Sequence, residues 1–163
     1  MITKEQYITS LVREIEIIKH LATKVDPTKL DYRPTPGQRS TLELLQYMGR
    51  NIIIGIKGNI AGDQNVYIEL AKAPNPTTFE NFVAQMDMQE KFVKETISAL
   101  TEEDFQKEST IFGSPNTLAM HLLGNLKTVT AYKMQLFLYI KASGNSSIGT
   151  SNLWGGMDMP ATA

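Results

Sequence analysis

The sequence contains no cysteine. That excludes a disulfide framework, a thiolate nucleophile and a cysteine-ligated zinc site. Histidine is nearly as scarce, with only His20 and His121 in the chain. Neither sign of charge is in excess: 16 lysines and arginines stand against 17 aspartates and glutamates, and no segment gathers the basic ones. Phosphate neutralisation supplies most nucleic-acid affinity, so this balance argues against a nucleic-acid partner. Long hydrophobic runs are also missing. The most apolar stretch, Asn51 to Ile56, is cut off by Lys57, far short of the ~20 residues that span a bilayer. The opening Met1-Ile2-Thr3-Lys4-Glu5 lacks the apolar region of a secretory signal. These absences lead us to expect a cytoplasmic protein that does not associate with membranes.

What is present suggests a single soluble domain, since 163 residues with 42% apolar content can bury a core without metals or disulfides. Helical periodicity dominates. Thr3 with Gln6 forms a capping-box pattern opening a helix to about Val25, with Tyr7, Leu11, Ile15, Ile18, Ala22 and Val25 inward. Ile8, Val12, Ile17 and Leu21 widen that stripe, which points to burial on two sides and suggests a second subunit. Asp26-Pro27 stops the helix, and the connector from Leu30 to Arg39 is too rich in proline and glycine to be helical. Ser40 and Glu43 form a second capping box, opening a helix to about Ile60. Residues 61–76 read as a turn followed by irregular chain. A third helix is predicted from Thr77 or Thr78 to Leu100, with one extra turn over Thr101 to Gln106. Ser109 to Gly113 reads as a short extended piece, and a fourth helix is predicted from Ser114-Pro115 to Gly144. The expected fold is all-α: a four-helix bundle with long connections over residues 1–144 and an irregular tail over 145–163.

The fourth helix carries a polar stripe, His121, Asn125, Thr128, Tyr132, Gln135 and Tyr139, stepping by three and four residues beside an apolar face. A polar line at a buried seam needs hydrogen-bond partners, water or a ligand. Tyr47 and Asn51 on the second helix sit four apart in the same manner.

Two segments carry a family resemblance. The first is Leu30 through Leu45, a proline-rich entry leading into Ser40-Thr41-Leu42-Glu43-Leu44-Leu45. The second is Tyr132-Lys133-Met134-Gln135 followed by Tyr139-Ile140-Lys141-Ala142-Ser143-Gly144. Together with the helix order they resemble the DinB/YfiT-like proteins over roughly residues 3 to 144. The resemblance implies a four-helix bundle, a homodimer and a divalent metal held by three histidines. By position those ligands fall on Tyr47, Thr128 and Tyr132, none of them histidine. A threonine hydroxyl is a poor ligand, and a phenol must lose a proton of pKa about 10 before it coordinates well. No metal and no cofactor is therefore expected.

The expected pocket is lined by Tyr47, Asn51, His121, Asn125, Thr128, Tyr132 and Gln135, with catalytic residues unassigned. It reads either as a hydrogen-bonded polar plug replacing the metal or as a small-ligand site. Glu43, the nearest carboxylate to Tyr47 by helical spacing, is explained first by its capping role. His20 lies among Arg13, Glu16 and Lys24 and is expected on the solvent face. His121 reads as a structural histidine near the bundle end rather than a ligand. The tail reads either as flexible or as anchored through Asn152-Leu153-Trp154. The functional expectation is a metal-free homodimer that binds a small molecule or a partner. A divergent thiol-dependent S-transferase, which the resemblance implies, and a stress-linked interaction protein are the alternatives.

Overall fold

The protein is described by a computed structural model covering residues 2–159. Met1 and residues 160–163, which the sequence-level boundaries included, lie outside the described residues. Both predicted capping boxes form. Helix α1, Lys4–Ala22, starts where the Thr3 hydroxyl accepts the Gln6 N–H and the Gln6 side-chain Oε1 accepts the Thr3 N–H. Helix α2, Thr41–Ala61, starts on the reciprocal Ser40–Glu43 pair and ends at Gly62, whose φ of 64° is the left-handed cap that glycine adopts without strain. Helices α4, Phe82–Ala99, and α6, Leu118–Ala142, complete the bundle. α1 packs on α4 and α6, and α2 packs on the same two helices, which closes a four-helix ring. Leu11, Ile15, Leu45, Met48, Ile52, Met86, Val93, Leu122, Val129 and Leu136 fill its axis. Burying each such side chain contributes roughly 1.5–3 kcal/mol. The fold is the expected all-α bundle with long connections.

Gln89 ties two of these helices together by chemistry as well as packing. Its fully buried amide accepts the Ile52 N–H at 3.0 Å and donates to the Met48 carbonyl at 2.9 Å. Side-chain and backbone polar groups satisfy each other inside the core, as burial requires.

Several boundaries differ from the sequence reading. Residues 64–72, expected to be irregular, form helix α3, capped by Asp63 and lying against α2. None of its residues is fully buried, so it lies at the surface of the bundle rather than in its core. α4 begins four or five residues later than predicted, because Thr78 and Asn81 cap each other across a preceding turn. The extra turn appears as α5, Glu102–Gln106, with its own Thr101–Asp104 capping box. The predicted fourth helix begins later too, since residues 114–117 are a strand. β1, Glu108–Ile111, pairs antiparallel with β2, Ser114–Thr117, around Phe112-Gly113. Phe112 and Gly113 both have positive φ, 49° and 76°, as a two-residue hairpin turn demands. The Ser-Pro pair that looked like a helix start is the edge of this hairpin, where proline is tolerated.

The tail is anchored. Ser151–Gly155 forms a single π-helical turn lying on α1, and Ile148 and Leu153 join the core. Part of the wide apolar stripe of α1 is thus covered by the chain's own C-terminal segment, with Gly156 in close approach to Ile17. His20 is not on an open solvent face, for the same reason. It is half-buried beneath the tail, with Nε2 3.0 Å from the Asn152 amide nitrogen.

Candidate functional site

A cavity of about 280 Å³ opens beside the bundle seam, between α2, α3, α6 and the hairpin. α2 contributes Tyr47, Asn51, Gly55, Gly58 and Asn59, which share one face because they step by three and four residues. α6 contributes His121, Gly124, Asn125 and Thr128 in the same register, α3 adds Tyr67, and the hairpin adds Ile111 and Phe112. The volume lies just below the range of typical small-molecule pockets.

Of the seven residues expected to form a pocket, the structure brings Tyr47, Asn51, His121, Asn125 and Thr128 to this cavity. Tyr132 stands behind it, its ring centroid 4.6 Å from that of Tyr47. Gln135 is elsewhere. It donates to the Tyr139 hydroxyl at 2.8 Å, which donates to the Arg39 carbonyl, in an open apolar groove beside Tyr32 and Pro34. Gly55, Gly58 and Asn59 had a legible signal, since they continue the Tyr47–Asn51 face. Tyr67 had none, because α3 was not read as a helix; Ile111 and Phe112 lay in the expected extended piece, but its pairing into a hairpin over the cavity was not legible.

The glycines shape the site. A Cβ on Gly55 would overlap the Asn125 side-chain amide, so the missing side chain is what admits that amide between the helices. A Cβ on Gly124 would meet nothing within 4 Å and would project into free space. The hairpin and α3 close the mouth edge to face, with Phe112 and Tyr67 ring centroids 5.5 Å apart at 88°. Gln64 fixes the tip by accepting the Phe112 N–H at 2.9 Å. His121 anchors the hairpin base: its Nε2 lies 3.2 Å from the Ser109 carbonyl, an acceptor only. The proton is therefore on Nε2, and in the neutral ring Nδ1 is an acceptor. This agrees with the structural role expected for His121, with the addition that the same ring lines the cavity.

No charged side chain lines the space. Its polar groups are phenols, carboxamides, one imidazole and one hydroxyl, and one of them is unmet. The Oδ1 of Asn125 is buried without a hydrogen-bond partner among the described residues. Burial, reinforced by the neighbouring Tyr67 and Tyr132 phenols, pushes the Tyr47 phenol well above its ordinary value. The Arg39 guanidinium over its ring, 4.4 Å from the centroid, does not reverse this.

That chemistry does not suit a divalent ion at Tyr47, Thr128 and Tyr132. Tyr47 resists the deprotonation that would make it a ligand, its ring is packed on Tyr132, and the Thr128 hydroxyl donates to the Gly124 carbonyl at 3.0 Å. Among the described residues, no group of three or more histidines, aspartates and glutamates is placed to hold a metal. Glu43 is engaged in its capping box and lies 3.3 Å from the Arg33 guanidinium.

One residue was legible only as part of the Tyr132–Gln135 segment, with no sign of its burial. Lys133 is fully buried between α6 and α1, its Nζ 2.8 Å from Glu14 Oε2 and 4.6 Å from the centroid of Trp154. The ion-pair distance is short, but the two atoms do not meet hydrogen-bond directionality. We read the contact as a through-space ion pair.

The fold matches those of solved proteins. A DinB-like protein from Bacillus subtilis superposes with a TM-score of 0.73 at 17% identity, covering 88% of this chain and 96% of that one. A DinB-like protein from Bacillus cereus gives 0.68 at 17% identity, covering 86% and 92%. A protein described as a candidate DinB-family member from Exiguobacterium sibiricum gives 0.73 at 16% identity, covering 93% and 99%. No family model and no curated protein sequence matches the chain.

Proposed function

We propose that this chain, which has the DinB-like fold, binds an uncharged small molecule in the cavity between α2, α3 and α6 without a metal. The observation that carries the reading is the buried, unmet Oδ1 of Asn125 within an otherwise uncharged polar lining. An unpaired buried acceptor costs roughly 1–3 kcal/mol, and a turn of the Asn125 side chain toward the cavity would let a ligand N–H or O–H recover it. A charged ligand would find no countercharge on the walls and would lose its hydration for nothing. Flat ligands with both donors and acceptors, such as amides, ureas and neutral heterocycles, match the carboxamides of Asn51, Asn59 and Asn125 and the ring faces of Tyr47 and Tyr67. A catalytic reading of the same cavity, S-transfer included, has less support: no carboxylate lines it and its one hydroxyl is already engaged.

Ligand-observed NMR with a fragment set divided into neutral and charged halves tests the reading. Neutral amide-like fragments should bind, and Gly124→Leu, which fills the cavity from its open side, should abolish their binding while the protein stays folded. Preferential binding of charged fragments, or neutral binding untouched by Gly124→Leu, would refute it.

A further inference from the structure

The C-terminal segment from Asn145 onward is clasped to α1 by polar contacts at several points. The Asn145 amide donates to the Lys24 carbonyl, Arg13 donates to the Gly155 carbonyl at 2.7 Å, and Lys24 pairs with Asp158 at 2.6 Å. Between these lies a contact whose sense can be worked out. The Asn152 Oδ1 accepts the Gly149 N–H at 2.8 Å, and its Nδ2 donates to Asp158 Oδ1 at 2.8 Å. The first partner is a donor only and the second an acceptor only, so the amide cannot be flipped. Its Nδ2 therefore also donates to His20 Nε2 at 3.0 Å, and His20 must be neutral with its proton on Nδ1. A protonated His20 would set two donors against each other.

We propose that residues 145–159 form a proton-released latch, in which protonation of His20 undocks the segment from α1 and uncovers the Lys133–Glu14 pair. The groups facing His20 are Asn152 and Asp158 on the latch and Lys24 in the turn just past the end of α1. Asp158, 3.8 Å away, favours the imidazolium, but its oxygens already accept from Asn152 and Lys24, and the Lys24 ammonium opposes a second cation. On α4, Asp87 and Glu90 are held by Lys19. Burial holds the docked imidazole below its ordinary value of 6.5; Asp158 pulls the other way, and Lys24 adds to the lowering. A depressed base stabilises the docked state fully above its ordinary value. That stability is lost as the pH falls below 6.5 and through the depressed value, because the released state takes up the proton first. One proton gives a docking constant that falls at most about tenfold per pH unit.

The chain carries its own reporter. Trp154 is the only tryptophan, and its ring sits over the Lys133 ammonium. Its emission, followed from about pH 8 to about pH 4.5, should change with a single-proton midpoint below the ordinary histidine value. The far-UV circular dichroism of the bundle should hold steady, and the Asn152 and Leu153 amides should lose exchange protection together. That range stops above the ordinary carboxylate value of 3.8 at Asp158, so the two titrations stay apart. His20→Gln keeps an acceptor for Asn152 without a titrating group and should flatten the curve. A flat wild-type curve, a His20→Gln curve like the wild type, or loss of helix at the same midpoint would each overturn the latch.

Discussion

Glycine at a solvated position inside a helix is a residue-scale anomaly, since it costs up to about 1 kcal/mol relative to alanine. Gly124 lies well inside α6, is exposed, and borders the cavity with free space ahead of its Cα. Gly124→Ala should therefore raise stability by up to about 1 kcal/mol in urea denaturation while weakening any cavity ligand. Unchanged ligand affinity in a stabilised variant would mean that the site does not use this space. Gly55→Ala is the opposite case: its Cβ would displace the Asn125 amide, so helix propensity and packing pull against each other. We expect a net loss of roughly 1–3 kcal/mol, together with loss of ligand binding, measured by the same denaturation curves. The sequence places Gly55 on the Tyr47–Asn51 face but does not show what either glycine meets. Only the neighbour across the seam separates them, which is why neither could be assigned a role before the packing was known.

At the scale of elements, legibility followed the amount of apolar surface that each piece buries. α1 and α2 were readable to within a few residues because their stripes and capping boxes agree with each other. α3 buries no residue, and the hairpin strand β2 consists of Ser-Pro-Asn-Thr, so tertiary support rather than local pattern decides their conformation. With them went Tyr67 and Phe112, the mouth of the cavity. His20 was misplaced because the partner that buries it, Asn152, is remote in sequence. The capping boxes themselves are testable. Ser40→Ala should cost about 1 kcal/mol, since Ser40 and Glu43 serve the start of a core helix. α5 is a five-residue turn resting on the Thr101–Asp104 box and should be acid-labile. Lys107 first, then the Thr101 N–H and hydroxyl, hold the Asp104 carboxyl well below the usual carboxylate range. A depressed carboxyl stabilises above its ordinary 3.8, and that contribution disappears as pH falls through the lowered value. Amide exchange over residues 102–106 should accelerate in that acid window in the wild type, and Asp104→Asn should remove most of the pH dependence. Protection that stays constant through the window would show that α5 is held by Phe105 packing instead.

For the whole molecule, the Lys133–Glu14 pair is the main polar commitment in the α1–α6 seam, and its two ends are unequal. The Lys133 side chain is 1% exposed and that of Glu14 is 17% exposed, so the carboxylate retains some water and the ammonium almost none. The pair is close, 2.8 Å, but off the hydrogen-bond direction, so its attraction is coulombic and must offset the desolvation of both ions. Breaking it from the two sides should therefore give different losses. Glu14→Gln leaves a buried cation with only the Trp154 ring for compensation and should cost about 3–5 kcal/mol. Lys133→Met fills a similar volume and leaves a partly hydrated carboxylate, so its cost should be smaller. The double variant, Glu14→Leu with Lys133→Met, replaces the pair by apolar contacts and should recover to near wild-type stability. A double-mutant cycle in urea measures this directly, and a strongly non-additive result is the expected outcome. Additive single losses would mean that the seam is held by the apolar core rather than by the charge pair, and that Lys133 is buried without an energetic partner.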